Sequence, residues 1–246
     1  ESDDAVVPLA LTMGAQAKWQ GDPFDAKTLP DRLEIGCDPA RFGDDETVIM
    51  GRRGKHALVA LVCRKLDNVE VAAKVLEYVE QNKRPGERAL VRVDVGGLGS
   101  GVVDVLRRQP SIETQAVNAG EASRYPDRWV NTRAELWWCI RRWLERGGTM
   151  PEDQRRDAEL LAARYSHDAH LRTRIESKDD MKKRLGRSPD RADALALAVY
   201  GESPLQDGER VATPPRPQPG PKITGWGGVR PSSDPFAVDK PTPARA

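Results

Sequence analysis

Cysteine, histidine, aromatic side chains and unbroken apolar stretches are all scarce in this chain of 246 residues. Its three cysteines, Cys37, Cys63 and Cys139, are far apart and form no CxxC, which argues against a disulfide framework or a thiolate zinc site and fits a reducing compartment. Among the three histidines, His167 and His170 stand three apart without a third strong ligand nearby, and they read as surface residues of a turn. No run reaches the roughly 18 apolar residues that a membrane span needs. The start, ESDDAVVPLA, has neither the basic nor the apolar region of a signal peptide. GxxxxGK[ST] does not occur; GRRGK at 51–55 has the wrong length and falls between two strands, so the sequence carries no P-loop ATPase site. Hydrophobic residues make up 38% of the chain, below the usual range of about 45–50%. Either the whole chain is polar or polar appendages dilute an ordinary domain. The net charge of +1 excludes a simple basic tail that grips nucleic acid, but it leaves room for a local basic face.

What is present is unevenly distributed. Residues 203–246 hold ten of the nineteen prolines. A stretch such as TPPRPQPGPK cannot build a helix or a central strand, because proline lacks the backbone donor and fixes φ, so this segment reads as a disordered or extended tail. Residues 1–31 combine VPLALTMGAQAKW, fit for one short amphipathic helix, with the linker-like QGDPFDAKTLPD. The compact domain is expected over 32–202.

Inside that window the pattern alternates between strand and helix. Strands are expected at 33–38 (LEIGCD), 46–52, 55–64, 88–95 and 112–118, with a further strand or hairpin arm at 170–177. Helices are expected at 68–81, 101–108, 132–146, 157–165 and 189–200. The last has Ser188 as N-cap and Pro189 at its first position. In the helix over 132–146, Leu136, Trp137, Ile140, Trp143 and Leu144 share the apolar side. Three antiparallel strands continued by crossover-connected parallel ones give an α/β fold: a mixed sheet with helices on both faces, the strand plan of RNase H-like nucleases. Other α/β layouts also fit this pattern.

Three acidic positions stand apart. Asp38 ends the first strand, Asp94 ends the fourth, and Asp190 and Asp193 occupy the first turns of the final helix in SPDRADALALA. Aspartate is disfavoured in strands, so each needs a reason; a loop hydrogen bond would serve for one alone, less readily for all in this order. Two carboxylates 4 Å apart repel by roughly 4 kcal/mol at an effective dielectric near 20. A divalent ion turns that cost into a binding site, and an all-oxygen set suits Mg²⁺ or Mn²⁺. Two such ions can activate water and stabilise the leaving oxygen of a phosphodiester. Asp193 is the preferred helix ligand; Asp190 is either a fourth ligand or a charge set against the helix dipole. Asp44 and Asp45 read as turn formers. GGLGSG at 96–101 fails the dinucleotide fingerprint, having Val102 where glycine is needed. Residues 172–187 carry a net +4, residues 1–30 a net −3 and the tail +2. Lys178, Lys182, Lys183, Arg184 and Arg187 crowd just ahead of the acidic helix and, with Arg133, are candidates for phosphate contacts. A solvated helix face is the competing account of that run.

In this order, IGCDPARFGDDETVI, VDVGGLGSGVVDVL, VNTRAELWW, ESKDDMKKR and SPDRADALALA resemble the nuclease domain of tailed-phage large terminase subunits. The resemblance covers about residues 32–201, and VPLALTMGAQAKW resembles the connection from a preceding ATPase domain. It implies an RNase H-like fold and metal-dependent cleavage of concatemeric viral double-stranded DNA during packaging. It also implies Asp38, Asp94 and Asp193 as the metal-binding triad, and the host cytoplasm as the place of action. In a full-length family member the partners would be the portal protein and the small terminase subunit. DxxDALA at Asp190 is also similar to the acidic helix of Holliday-junction resolvases, which use both acids. The ATPase motor of the family is missing from this sequence, so the expected molecule cuts DNA and does not translocate it. The rival readings are a junction resolvase and a non-catalytic DNA-binding assembly module.

Overall fold

The computed structural model describes residues 4–19, 29–40, 45–97 and 99–208. Asp44 and the tail beyond residue 208 lie outside them. A six-stranded sheet forms the centre. Strand β1 (Leu33–Asp38) lies between β2 (Thr47–Arg53), antiparallel to it, and β5 (Ala89–Asp94), parallel to it. β6 (Ile112–Val117) runs parallel to β5, and β3 (His56–Ala57) and β4 (Leu61–Cys63) both pair antiparallel with β2. This is the expected mixed sheet. Helices α2 (Asn68–Asn82) and α3 (Gly99–Leu106) cover one face; α4 (Thr132–Glu145), α5 (Gln154–Ala162) and α7 (Asp190–Val199) are on the other side. Between α5 and α7 come a hairpin, β7 (Tyr165–His167) with β8 (Thr173–Ile175), and helix α6 (Lys178–Leu185).

Side-chain alternation sorts each central strand between two cores. Leu33, Ile35 and Cys37 of β1 and Ala89, Val91 and Val93 of β5 join Val71, Val75, Val79, Val102 and Leu106 under α2 and α3. Val48 and Met50 of β2 join Trp137, Ile140, Trp143 and the alanine-rich face of α7. The five apolar residues expected on one side of α4 are all buried. α7 lies very close to β1: a Cβ built on Gly36 would stand 2.1 Å from the carbonyl oxygen of Ala194 and 2.5 Å from the nitrogen of Ala198. Only glycine permits that approach.

The far end of α7 is held by two buried arginines. Arg52 Nε donates to Ala198 O at 2.8 Å, and Arg92 Nη1 donates to Leu197 O and Ala198 O. Glu34 pairs with both guanidiniums, at 2.9 and 2.7 Å. Cations at a helix C-terminus satisfy its orphan carbonyls and complement its dipole.

Several boundaries differ from the sequence reading. The expected strand 55–64 is broken, because Leu58 turns into the α2 core and Val59 O accepts from the Tyr78 hydroxyl. α5 begins earlier than 157, since the Asp153 carboxylate accepts from the nitrogens of Arg155 and Arg156 and so caps it. Tyr165 belongs to β7, its nitrogen bonded to Asp4 O. At α7, Pro189 holds the N-cap position without a side-chain cap bond, and Ser188 is a buried residue ahead of it. Residues 4–19 pack on this body: Val6 and Val7 are buried, Val6 N donates to Ala163 O at 3.0 Å, and α1 (Leu9–Ala17) contacts α4.

Candidate active site

The strand alternation that sends Cys37 and Val93 towards α2 sends their successors the other way. The parallel register pairs Cys37 with Val93, so Asp38 and Asp94 are the next residues on neighbouring strands, both on the face that α7 covers. After β5 the chain must turn at once into α3. A Cβ on Gly99 would stand 1.8 Å from Asp94 O, so the glycine-rich turn is needed for that close return and carries no nucleotide fingerprint.

α7 brings Asp190 and Asp193 to the same edge, and α6 adds Lys178. The Lys178 ammonium lies 3.1 Å from Asp38 Oδ2, 3.3 Å from Asp190 Oδ1 and 3.1 Å from Asp193 Oδ2. Three carboxylates from β1 and α7 thus converge on one cationic atom. Asp94 stands at the rim, its Oδ1 accepting from Gly96 N at 2.8 Å. Among the described residues no three acidic, histidine or cysteine side chains form a ready ligand set for a metal ion. The reason is visible here: Nζ occupies the point on which the oxygens close. The donor set is all oxygen, and its three carboxylates carry two charges more than a lone ammonium balances, which fits Mg²⁺ or Mn²⁺ better than zinc.

The electrostatics are those of buried acids around a cation. Burial raises the Asp38 carboxyl well above its ordinary range; Lys178 opposes this and the other three aspartates add to it. Asp94 is raised, again chiefly by burial, against the Gly96 N–H and Lys178. Burial acts on Asp193 too, but Arg133, Lys178 and the Trp137 indole outweigh it and leave this carboxyl low. Burial disfavours the Lys178 charge, yet Asp38, Asp193 and Asp190 hold it well above the usual lysine value.

The predicted basic residues divide. Lys182 bonds Asp45 at 2.7 Å, Lys183 pairs with Asp180 and is 77% exposed, and Arg184 is tied to Glu176 and Ala162 O. Arg187 lies in the turn before α7, with its Nε 3.7 Å from Glu159. Arg133 packs against Asp193, with Nη1 at 3.1 Å and its side chain 13% exposed. Trp137 Nε1 donates to the same carboxylate at 3.3 Å. Both residues stand four apart on α4 and fix Asp193 from behind. They also wall a cavity of about 200 Å³ that includes Asp94, Lys178 and Leu197. Glu46 is a further residue the sequence reading did not single out: its backbone nitrogen donates to Asp190 Oδ2 at 2.8 Å. By sequence, Glu46 reads only as the first residue of the strand expected at 46–52.

No family model and no curated protein matches the sequence. Solved structures do match by shape. The nuclease domain of the large terminase subunit gp2 of bacterial virus Sf6 superposes with a TM-score of 0.63 at 16% identity, covering 79% of this chain and 98% of that one. The large terminase nuclease from thermophilic phage G20c with bound magnesium gives a TM-score of 0.59 at 17% identity, covering 82% and 98%. A variant of the Sf6 domain has been solved with manganese. At this level of identity the likeness establishes the fold.

Proposed function

We propose that this chain is a metal-dependent DNA endonuclease domain that cuts concatemeric viral DNA during genome packaging. The observation that carries the reading is the convergence of Asp38, Asp190 and Asp193 on a single cation position beside Asp94. The fold it shares with phage terminase nucleases, some of them solved with manganese or magnesium, supports it. Mg²⁺ or Mn²⁺, as two ions, would supply Lewis-acid activation of water and charge stabilisation at the cleaved phosphodiester. Asp38, Asp94 and Asp193 would be the ligands, with Asp190 beside them.

The protein's own residues do the positioning. Arg133 and Trp137 keep Asp193 ionised and fixed in rotamer. Glu46 N fixes one oxygen of Asp190 and leaves the other turned to the site. Lys178 offsets part of the carboxylate charge, and with an ion held there its flexible stem would let the ammonium turn towards a phosphate. Lys182 and Lys183 on α6 extend that positive rim, giving affinity for double-stranded DNA without sequence information. Cysteine chemistry is poorly placed: burial raises the thiols of Cys37 and Cys139, the latter to about 12. The portal protein and small terminase subunit are the proposed partners of a full-length form.

Nicking of supercoiled plasmid in Mn²⁺ or Mg²⁺ tests this. Asp38→Ala, Asp94→Ala and Asp193→Ala should each reduce nicking to background while retaining the folded circular dichroism spectrum. Undiminished nicking by Asp38→Ala and Asp94→Ala would sink the assignment.

A further inference from the structure

Asp190 also lines a second, polar pocket of about 320 Å³. Arg64, just after β4, Arg155, in the first turn of α5, and Arg187, before α7, all line it. Their side chains are 51%, 44% and 36% exposed, so the guanidiniums face accessible space. Arg64 and Arg155 both donate to one oxygen of Glu46. Among the described residues that is the single side-chain hydrogen bond of each, out of five donors apiece. Among the described residues Arg187 has only its 3.7 Å ion pair with Glu159, and its Nε is buried without a hydrogen-bond partner among them.

Three guanidiniums and three carboxylates, Glu46, Glu159 and Asp190, line this pocket. Asp190 shares the Lys178 ammonium with Asp38 and Asp193, and Arg191 bridges Asp153, at 2.8 and 2.9 Å, and the second oxygen of Glu46, at 3.1 Å. Glu46, only 7% exposed, forms the floor. It draws two arginine forks into register, and an acceptor seated above it would meet their remaining N–H groups. Tetrahedral phosphate oxygens suit such planar forks, because each guanidinium can engage two of them.

We propose that this pocket seats a backbone phosphate of the bound DNA, on the strand being cut and near the scissile linkage. Asp190 is the shared wall: one oxygen faces the cation position, and the other is bonded to Glu46, the floor of the pocket. The arginines therefore fix the register of the strand over the carboxylates. They are positioning residues, and the proposal rests on the nuclease reading above.

The test is DNA binding in Ca²⁺ across a range of salt, with cleavage in Mn²⁺ at saturating DNA measured alongside. For Arg64→Ala and Arg155→Ala, each should bind about tenfold more weakly. The double variant should have a salt slope shallower by about 0.9, as for one lost phosphate contact. The maximal cleavage rate should fall as well, because the strand loses its register over the carboxylates, and Arg155→Lys should recover the slope but only part of the affinity. Arg64→Gln and Arg155→Gln serve where the alanine variants fold poorly. An unchanged slope in folded double variants overturns the proposal, leaving the arginines as partners of Glu46 only. Thermal protection by inorganic phosphate with an unchanged DNA slope would assign the pocket to a free anion and also overturn it. If the wild-type protein neither binds nor cuts DNA, the nuclease reading itself falls.

Discussion

Gly36 carries more of the active-site geometry than its lack of a side chain suggests. It lies two residues before Asp38 on the strand that α7 touches, and no Cβ fits between it and Ala194 O. Gly36→Ala must push α7 away from β1 by a substantial part of a bond length or strain both backbones. Overpacking of this kind costs about 1–3 kcal/mol, sometimes more. The expected result is a lower urea midpoint together with weaker Mn²⁺ binding, since the same shift separates Asp38 from Asp193. A loss of stability with unaltered metal affinity would show that α7 tilts about its acidic end. Asp38 and Asp94 were legible in the sequence because a carboxylate at the end of an apolar strand is a local anomaly. The ion pair of Arg133 with Asp193 was not legible, because the charge is visible in sequence while the packing of α4 on α7 is a tertiary fact.

At the scale of elements, the sheet reads well from sequence because each central strand is an apolar run bounded by turns. Boundaries read less well. Ser188 looked like a cap by residue type, yet the structure places Pro189 at that position, and Asp153 started α5 unnoticed because the apolar period begins later. One junction between elements is predicted to make the protein acid-sensitive. Arg53, fully buried at the end of β2, donates to Asn82 O at the C-terminus of α2 and pairs with Glu87 at 2.6 Å. Burial alone would raise the Glu87 carboxyl, but Arg53, the nitrogens of Arg84 and Leu33, and the Arg84 side chain hold it far below the usual range. A carboxyl whose pKa falls on folding contributes stability above its unfolded value, near 4.3 for glutamate, and loses it as pH falls towards the folded value. Stability should therefore decline below about pH 4.3. Glu87→Gln should be weaker by about 3–5 kcal/mol at pH 7, as for a broken buried pair. It should also lack that part of the acid decline, as urea melts from pH 3 to 7 would reveal.

For the molecule as a whole, the acidic cluster is a local fault in the fold that a cation repairs. Without metal, Lys178 makes that repair, so Lys178→Ala should lower the melting temperature in chelator. With saturating Mn²⁺ the same variant should gain more than the wild type, because the ion no longer displaces an ammonium. A ligand at 100 times its Kd stabilises by about 2.7 kcal/mol. Scanning calorimetry with and without Mn²⁺ checks this, and equal gains in both proteins would contradict it. The contact between β1 and α7 has a further consequence, one of timing. Lys178 meets Asp38 across 140 residues of chain, and the carboxylates of α7 come later still. At about 5–20 residues per second, a growing chain spends many seconds holding Asp38 and Asp94 without their helix partners. Under the proposed function, a hydrolytic centre divided between β1 and α7 would stay inert while the chain is being made and would form once the domain has closed.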